Sequence, residues 1–190
     1  MKLERILPFA KKILEKAVRR GDIVVDATLG NGHDTLFLAE LVGANGLVFG
    51  FDIQEEAITA STERLIQKGL LERVTLFHEG HEKLLENIPS IHHGNVTGAI
   101  FNLGYLPGSD KAIVTRPETT ISAVEQLLEI MAPEGIIVIV IYHGHDEGAI
   151  ERDILLDYCQ QIDQKAAHVL QYQFINQQKN PPFIVAIEKR

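Results

Sequence analysis

The chain has a single cysteine, Cys159. No internal disulfide can form, and a zinc site built on cysteine thiolates is excluded. A lone thiol suits a reducing, cytoplasmic setting. Long apolar runs are missing as well. The longest, Ile136 to Ile141, is the size of a strand, whereas a membrane span needs ~18 residues. The opening Met1-Lys2-Leu3-Glu4-Arg5 leads into an amphipathic pattern, not the unbroken apolar core of a signal peptide. Positive charge is short: 18 Lys and Arg stand against 26 Asp and Glu, a net of -8. Overall charge therefore argues against nucleic acid as a partner.

The distribution of charge softens that argument. Residues 1–20 carry seven basic side chains against Glu4 and Glu15, a net of +5, so the other 170 residues carry -13 of the total. A basic segment on an acidic body suits a phosphate-facing patch. It equally suits a solvated helix face, which is the default. The 190 residues are 45% hydrophobic, enough for one domain with a substantial core. No repeat, linker or low-complexity stretch divides them.

Strand and helix patterns alternate along the chain. Leu3, Ile6, Leu7, Ala10, Ile13, Leu14, Ala17 and Val18 form one helical stripe. Pro8 falls in its first turn or kinks it, and Gly21 suits the position just past its end. Strands are expected at Ile23–Ala27, Leu47–Asp52, Val74–Phe77, Val96–Phe101, Ile136–Tyr142, Val169–Phe174 and Phe183–Ile187. Helices are expected at Thr35–Leu41, Glu55–Lys68, Glu82–Asn87, Pro117–Met131 and Glu147–Ile162. His92–Asn95 and the segment after Asn102 read as loops, and Pro133-Glu134-Gly135 as a turn. The fold class is α/β, a Rossmann-like, mostly parallel sheet with helices on both faces and a C-terminal antiparallel hairpin.

Ligands of such sheets bind beyond the carboxyl ends of the strands. Four segments fall there: Asp26–Asp34, Asp52–Gln54, Asn102–Pro107 and Tyr142–Asp146. Asp26-Ala27-Thr28-Leu29-Gly30-Asn31-Gly32-His33-Asp34-Thr35 joins a strand to a helix through a Gly-x-Gly turn. Gly30 and Gly32 allow a tight turn and close backbone approach to a ligand. Asp52 lies 20 residues beyond Gly32, the spacing at which an acid accepts ribose hydroxyls. A dinucleotide fingerprint wants a third glycine, and here that position is Thr35. Asp26 and Asp34 flank the turn and would repel a pyrophosphate. They suit an ammonium group beside a sulfonium, which favours S-adenosylmethionine over NAD.

The histidines spell no metal signature. His78 with His81, His92-His93 and His143-x-His145 match no common zinc spacing. No metal is expected. His33 borders the pocket and His81 joins the cofactor set, while His143 at a strand end suits a contact to substrate or cofactor. His92, His93 and His168 read as surface or loop residues, and Cys159 as core. Lys111 and Arg116 could meet phosphate, although solvation is their default.

Together these residues resemble the class I S-adenosylmethionine-dependent methyltransferases, and more narrowly the YtqB/MnmM-like family long labelled rRNA methylases. The resemblance rests on Asp26–Thr35, Phe51-Asp52-Ile53-Gln54, Asn102-Leu103-Gly104-Tyr105-Leu106-Pro107, Pro117-Glu118-Thr119-Thr120, Tyr142-His143-Gly144-His145 and Asn180-Pro181-Pro182-Phe183. It implies a seven-stranded sheet and a tRNA substrate. The expected reaction is methylation of the amine of 5-aminomethyl-(2-thio)uridine at the anticodon wobble position. The Asn102 segment departs from the Asn-Pro-Pro-Tyr of amino-methyltransferases by lacking both prolines.

On this reading the cofactor set is Asp26, Thr28, Gly30, Asn31, Gly32, His33, Asp34, Thr35, Asp52, Ile53, Gln54, His81 and Asn102. The catalytic set is Asn102, Tyr105 and His143. Asn102 would aim the amine, Tyr105 would stack on the uracil, and His143 would accept a proton or touch the base. A homodimer sharing an RNA surface is compatible with so short a chain. Other functions stay open on the residues: an NAD-dependent oxidoreductase, a non-catalytic cofactor- or RNA-binding module, and a methyltransferase acting on rRNA or a small amine.

Overall fold

The computed structural model describes residues 2–104, 115–144 and 146–190, the side chains of residues 146 and 147 excepted. Its strands are β1 (Ile23–Asp26), β2 (Leu47–Phe51), β3 (Val74–Phe77), β4 (Val96–Leu103), β5 (Met131–Ile141), β6 (Ala167–Tyr172) and β7 (Phe183–Lys189). Its α-helices are α1 (Ile6–Ala17), α2 (His33–Val42), α3 (Glu55–Lys68), α4 (Leu84–Asn87), α5 (Pro117–Ile130) and α6 (Asp146–Gln161).

The sheet runs β3-β2-β1-β4-β5-β7-β6. The first five strands are parallel, and β7 is antiparallel to both β5 and β6. From β1 the chain moves outward through β2 and β3, then returns to pair β4 on the other side of β1. That reversal opens a crevice at the carboxyl ends of β1 and β4.

Strand residues alternate between two cores. Val24, Val48, Ile100, Val138, Val140 and Ile184 pack with α1, α2 and α3. Val25, Phe49, Phe101, Ile137, Ile139 and Val185 pack with α4, α5 and α6. Cover on both faces explains why the strands read as continuous apolar runs. Each fully buried Leu, Ile or Phe contributes ~1.5–3 kcal/mol.

Local details differ from the sequence expectations. Strand β4 continues to Leu103, so Asn102 is a ladder residue opposite Val140 and not part of a loop. Pro133-Glu134-Gly135 lies inside β5. Met131 pairs with Val96 and Ile136 with Gly98, so residues 132–135 bulge outward before the ladder resumes. Glu134 takes φ 65° there. Helix α2 begins at His33, ahead of Thr35, because Gly32 in a left-handed conformation caps it directly. Helix α1 ends at Ala17 with Val18 extended. Gly21 serves the next turn instead, and its N–H donates to the Val42 carbonyl at 2.7 Å. Pro8 sits in the first turn of α1. Among the described residues no helix is long and apolar enough to cross a membrane.

Candidate functional site

The glycine turn is held from three sides. Asp26 is buried beneath it. Its Oδ1 accepts from the Thr28 N–H at 3.2 Å and its Oδ2 from the Thr35 hydroxyl at 2.5 Å. Burial, reinforced by the charge of Asp34, pushes its pKa up to about 7. The Thr28 hydroxyl oxygen accepts from the Asn102 N–H at 2.7 Å, tying the tip of β1 to β4. From α3, the Ser61 hydroxyl donates to the Gly30 carbonyl (3.0 Å) and Arg64 Nε to the Asn31 carbonyl (2.8 Å). Gly32 has φ +72°, and a Cβ there would lie 2.6 Å from Ser61 Oγ. Glycine is therefore required by both conformation and space.

Asp52 stands at the tip of β2. Its Oδ2 accepts from the Gly30 N–H at 2.9 Å and its Oδ1 from the Gln54 N–H at 3.0 Å. Each carboxylate oxygen keeps a second lone pair that a ribose hydroxyl can use. Ile53 beside it is 56% exposed and offers an apolar surface at the rim, while Gln54 is buried.

His81 follows β3 and is buried against the edge of Phe101. Its Nδ1 lies 2.9 Å from the Ala27 carbonyl. A carbonyl can only accept, so Nδ1 carries the hydrogen and Nε2 is bare. Burial lowers the ring's pKa, which keeps it neutral. Among the described residues Nε2 has no partner. A buried, unpaired acceptor lining the cleft calls for a ligand donor.

Across the cleft, Asn102 Nδ2 donates to Asp34 Oδ2 at 2.5 Å. The other oxygen of Asp34 faces Lys11 Nζ at 3.7 Å. Lys11 also sits over the Phe37 ring, 4.8 Å from its centroid. Because a carboxylate needs a donor, Asp34 sets the orientation of the Asn102 amide.

His143 is buried at the end of β5. Its Nε2 donates to the Pro181 carbonyl at 3.0 Å, which leaves Nδ1 to accept from Arg152 Nη1 at 3.3 Å. Burial and the adjacent guanidinium lower its pKa. Both ring nitrogens thus have protein partners, an arrangement that fixes the ring in the wall. Tyr142 beside it is 38% exposed.

Glu151 on α6 is buried in the same wall, and burial raises its pKa. It accepts from the Thr115 hydroxyl at 2.8 Å and the Thr120 hydroxyl at 3.3 Å. Thr115 Oγ1 in turn accepts from the Gly104 N–H at 3.1 Å. Gly104, at the end of β4, is thereby tied to α6.

One cleft of about 1960 Å³ joins these groups. Single small-molecule sites occupy ~300–1,000 Å³, so a second reactant fits beside a cofactor. Thr28, Gly30, Asn31, His33, Asp34, Asp52, Ile53, Gln54, His81, Asn102 and His143 all line it. Asp26 and Thr35 are fully buried below the turn and support it from there. Tyr105, Leu106, Pro107, Lys111 and His145 lie outside the described residues. Arg116 lines the cleft, and Cys159 is buried with its pKa pushed up to about 11 by burial. Among the described residues no three His, Cys, Asp or Glu side chains gather as a metal site. Sequence reasoning did not single out Lys11, Ser61, Arg64, Thr115 or Glu151 for the site. Each belongs to a helix or loop whose own pattern is that of an ordinary amphipathic or polar stretch.

Comparison with known proteins decides between the cofactors this geometry admits. A family model described as "Putative rRNA methylase" matches residues 48–188. The chain belongs to this family. A crystal structure of a "putative rRNA-methylase" from Clostridium thermocellum is 45% identical, covers 100% of both chains and superposes with a TM-score of 0.96. A "putative methyltransferase" of Streptococcus mutans, solved in complex with S-adenosylhomocysteine, is 35% identical over 99% of both chains with a TM-score of 0.89. The chloroplastic tRNA (mnm(5)s(2)U34)-methyltransferase of Arabidopsis thaliana is 39% identical over 154 residues, 77% of this chain. The chain spans 56% of that relative's length.

This member of the rRNA methylase family is an S-adenosylmethionine-dependent methyltransferase domain. Its own residues fit that cofactor. Asp52 suits the ribose, the bare Nε2 of buried His81 awaits a donor, and the Gly30–Gly32 turn leaves room for close approach. The acids around the turn suit a ligand with two cationic centres.

Proposed function

We propose that the domain methylates RNA, and specifically the amine of 5-aminomethyl-(2-thio)uridine at the wobble position of tRNA. The observation that carries this reading is the 39% identity to the Arabidopsis tRNA (mnm(5)s(2)U34)-methyltransferase over 77% of the chain. The arrangement around Asn102 is compatible with an amine acceptor.

S-adenosylmethionine supplies an already activated methyl group, so the residues have to position the acceptor and exclude water. An alkylamine has a solution pKa of ~10.4, and it must be neutral to attack. Cover by Tyr142 and Ile150 disfavours the ammonium form, against the pull of Asp34, whose charge is already shared by Asn102 and Lys11. Asp34 takes Nδ2 of Asn102, and the reading assigns Oδ1 of that amide and the Leu103 carbonyl to the two amine N–H bonds. That leaves the nitrogen lone pair to attack the methyl carbon as the carbon–sulfur bond breaks. The amine proton departs to water at the cleft mouth. His143 acts as a positioning residue, its ring clasped between Pro181 and Arg152.

A second reading, methylation of rRNA, has the family's own description in its favour. Nucleoside mass spectrometry of tRNA and rRNA from cells lacking the gene separates the two. Accumulation of 5-aminomethyl-(2-thio)uridine in tRNA is expected. A normal wobble-base profile refutes the tRNA reading, and loss of a methylated rRNA nucleoside establishes the other.

A further inference from the structure

The cleft lining is rich in acids and poor in cations. Asp34, Asp52, Glu82, Glu118 and Glu151 line it, whereas the described Lys and Arg side chains there are Lys11 and Arg116. S-adenosylmethionine carries a sulfonium, an ammonium and one carboxylate. The acids can meet the two cationic centres, but the carboxylate needs a cation of its own. Two cations flank the glycine turn: Arg64 is engaged with the Asn31 carbonyl outside the cleft lining, whereas Lys11 lines the cleft. Lys11 projects from α1, the helix that precedes the glycine turn and β1, and faces Asp34 on the first turn of α2.

We propose that Lys11 binds the carboxylate of the cofactor's methionine moiety while Asp34 takes its ammonium. This assignment rests on the cleft being the cofactor site. Three observations support it. The Lys11–Asp34 separation of 3.7 Å is that of a loose ion pair, and both side chains are partly exposed, at 38% and 21%. Such a pair is weak in itself and is readily replaced by contacts to a ligand of mixed charge. The Phe37 ring under Lys11 Nζ, 4.8 Å away, holds the ammonium at the rim instead of letting it sweep through solvent. Asp34 also holds Asn102 through its second oxygen, so a zwitterion seated between Lys11 and Asp34 lies next to the residue assigned to the acceptor amine.

The basic character of α1 then has two parts. Lys12 is engaged with Glu4, and Lys16, Arg19 and Arg20 are exposed along the helix and beyond its end. Lys11 alone among the basic residues of this segment lines the cleft. Its neighbours suit solvent or phosphate, and Lys11 suits the cofactor.

The test is calorimetry on the full chain with three probes: S-adenosylhomocysteine, its decarboxylated analogue, and 5′-methylthioadenosine, which lacks both charged groups. Lys11→Ala should weaken S-adenosylhomocysteine about tenfold or more, the order expected for one charge-assisted contact. It should change the decarboxylated analogue and 5′-methylthioadenosine by less than threefold. Lys11→Arg should retain most of the affinity, which separates loss of charge from loss of fold. Equal weakening of S-adenosylhomocysteine and its decarboxylated analogue overturns the assignment. So does unchanged S-adenosylhomocysteine affinity with a loss of RNA binding, which would make Lys11 a phosphate contact. Failure of the cofactor site itself reads differently: the unmodified protein would then not bind 5′-methylthioadenosine at all.

Discussion

Replacing Asn102 with aspartate changes one atom type and puts two carboxylates face to face. Asn102 Nδ2 is 2.5 Å from Asp34 Oδ2, so the exchanged atom turns a donor into a second anion. Two charges centred ~4 Å apart repel by ~4 kcal/mol at an effective dielectric of 20. Lys11, 3.7 Å from the other Asp34 oxygen, and partial exposure offset about half of that. A net loss of ~2 kcal/mol lowers the melting temperature of a chain this size by ~4–8 °C. The pair relieves itself by binding one proton, which raises the folded-state pKa of the pair above the ordinary aspartate value of ~3.9. The stability contributed by that proton is fully present below the unfolded pKa and is lost as pH rises through the folded value. At ~1.4 kcal/mol per unit a net ~2 kcal/mol is ~1.5 pH units, so the gap between Asn102→Asp and the parent should be full near pH 8, begin to narrow near pH ~5.5 and close only below pH ~4. Scanning fluorimetry across that range measures it. A gap that is flat with pH, or absent, would show that the two side chains do not meet as described. Methyl transfer at pH 8 should fall by at least ~100-fold if this amide aims the acceptor as proposed.

Asp52→Ala removes the acceptor of the Gly30 and Gln54 N–H groups together with the proposed ribose contact. At ~1.5–3 kcal/mol for each hydrogen bond to a charged group, S-adenosylhomocysteine affinity by calorimetry should drop at least ~100-fold, and a change under threefold would contradict the ribose role. Gly32→Ala forces a left-handed alanine, costing ~1–2 kcal/mol, into a space where its Cβ meets Ser61 Oγ at 2.6 Å, adding ~1–3 kcal/mol of overpacking. Urea unfolding should show that loss, and a double-mutant cycle with Ser61→Gly, which by itself gives up the bond to the Gly30 carbonyl, should show Gly32→Ala costing less in the Ser61→Gly background; an unchanged midpoint in the single variant refutes it.

The strands were legible because both faces of the sheet are covered, so Val24-Val25 and Ile136–Ile141 carry no polar interruptions. The Gly-x-Gly turn and Asp52 were legible because their roles depend on short spacings along the chain. Burial of Cys159 followed from its place in an apolar helix pattern. Other features depend on distant segments meeting. The Thr28–Asn102 bond joins residues 74 apart, and the Arg64–Asn31 bond joins residues 33 apart. No periodicity encodes either. Glu151 reads as one more acid on α6 until Thr115 and Thr120 turn their hydroxyls toward it. Pro133-Glu134-Gly135 carries true turn chemistry, but the ladder on either side absorbs it as a bulge. The His143 ring sits at the strand end that the sequence indicates, yet its two nitrogens are engaged by residues 38 and 9 positions away.

The reversed strand β7 has a consequence for how this fold can diversify. It enters at Phe183 opposite Ile141, so the stretch that feeds it, residues 173–182, arrives at the mouth of the cleft. Asn180 lines that mouth, and Pro181 holds His143. The stretch is largely exposed, with Ile175 at 92%. It shares no hydrogen bond with the glycine turn or Asp52 among those described. Variation there can reshape what the domain accepts while leaving the methyl-donor half intact. Exchanging residues 173–182 between relatives is accordingly a route to altered acceptor choice at constant cofactor affinity.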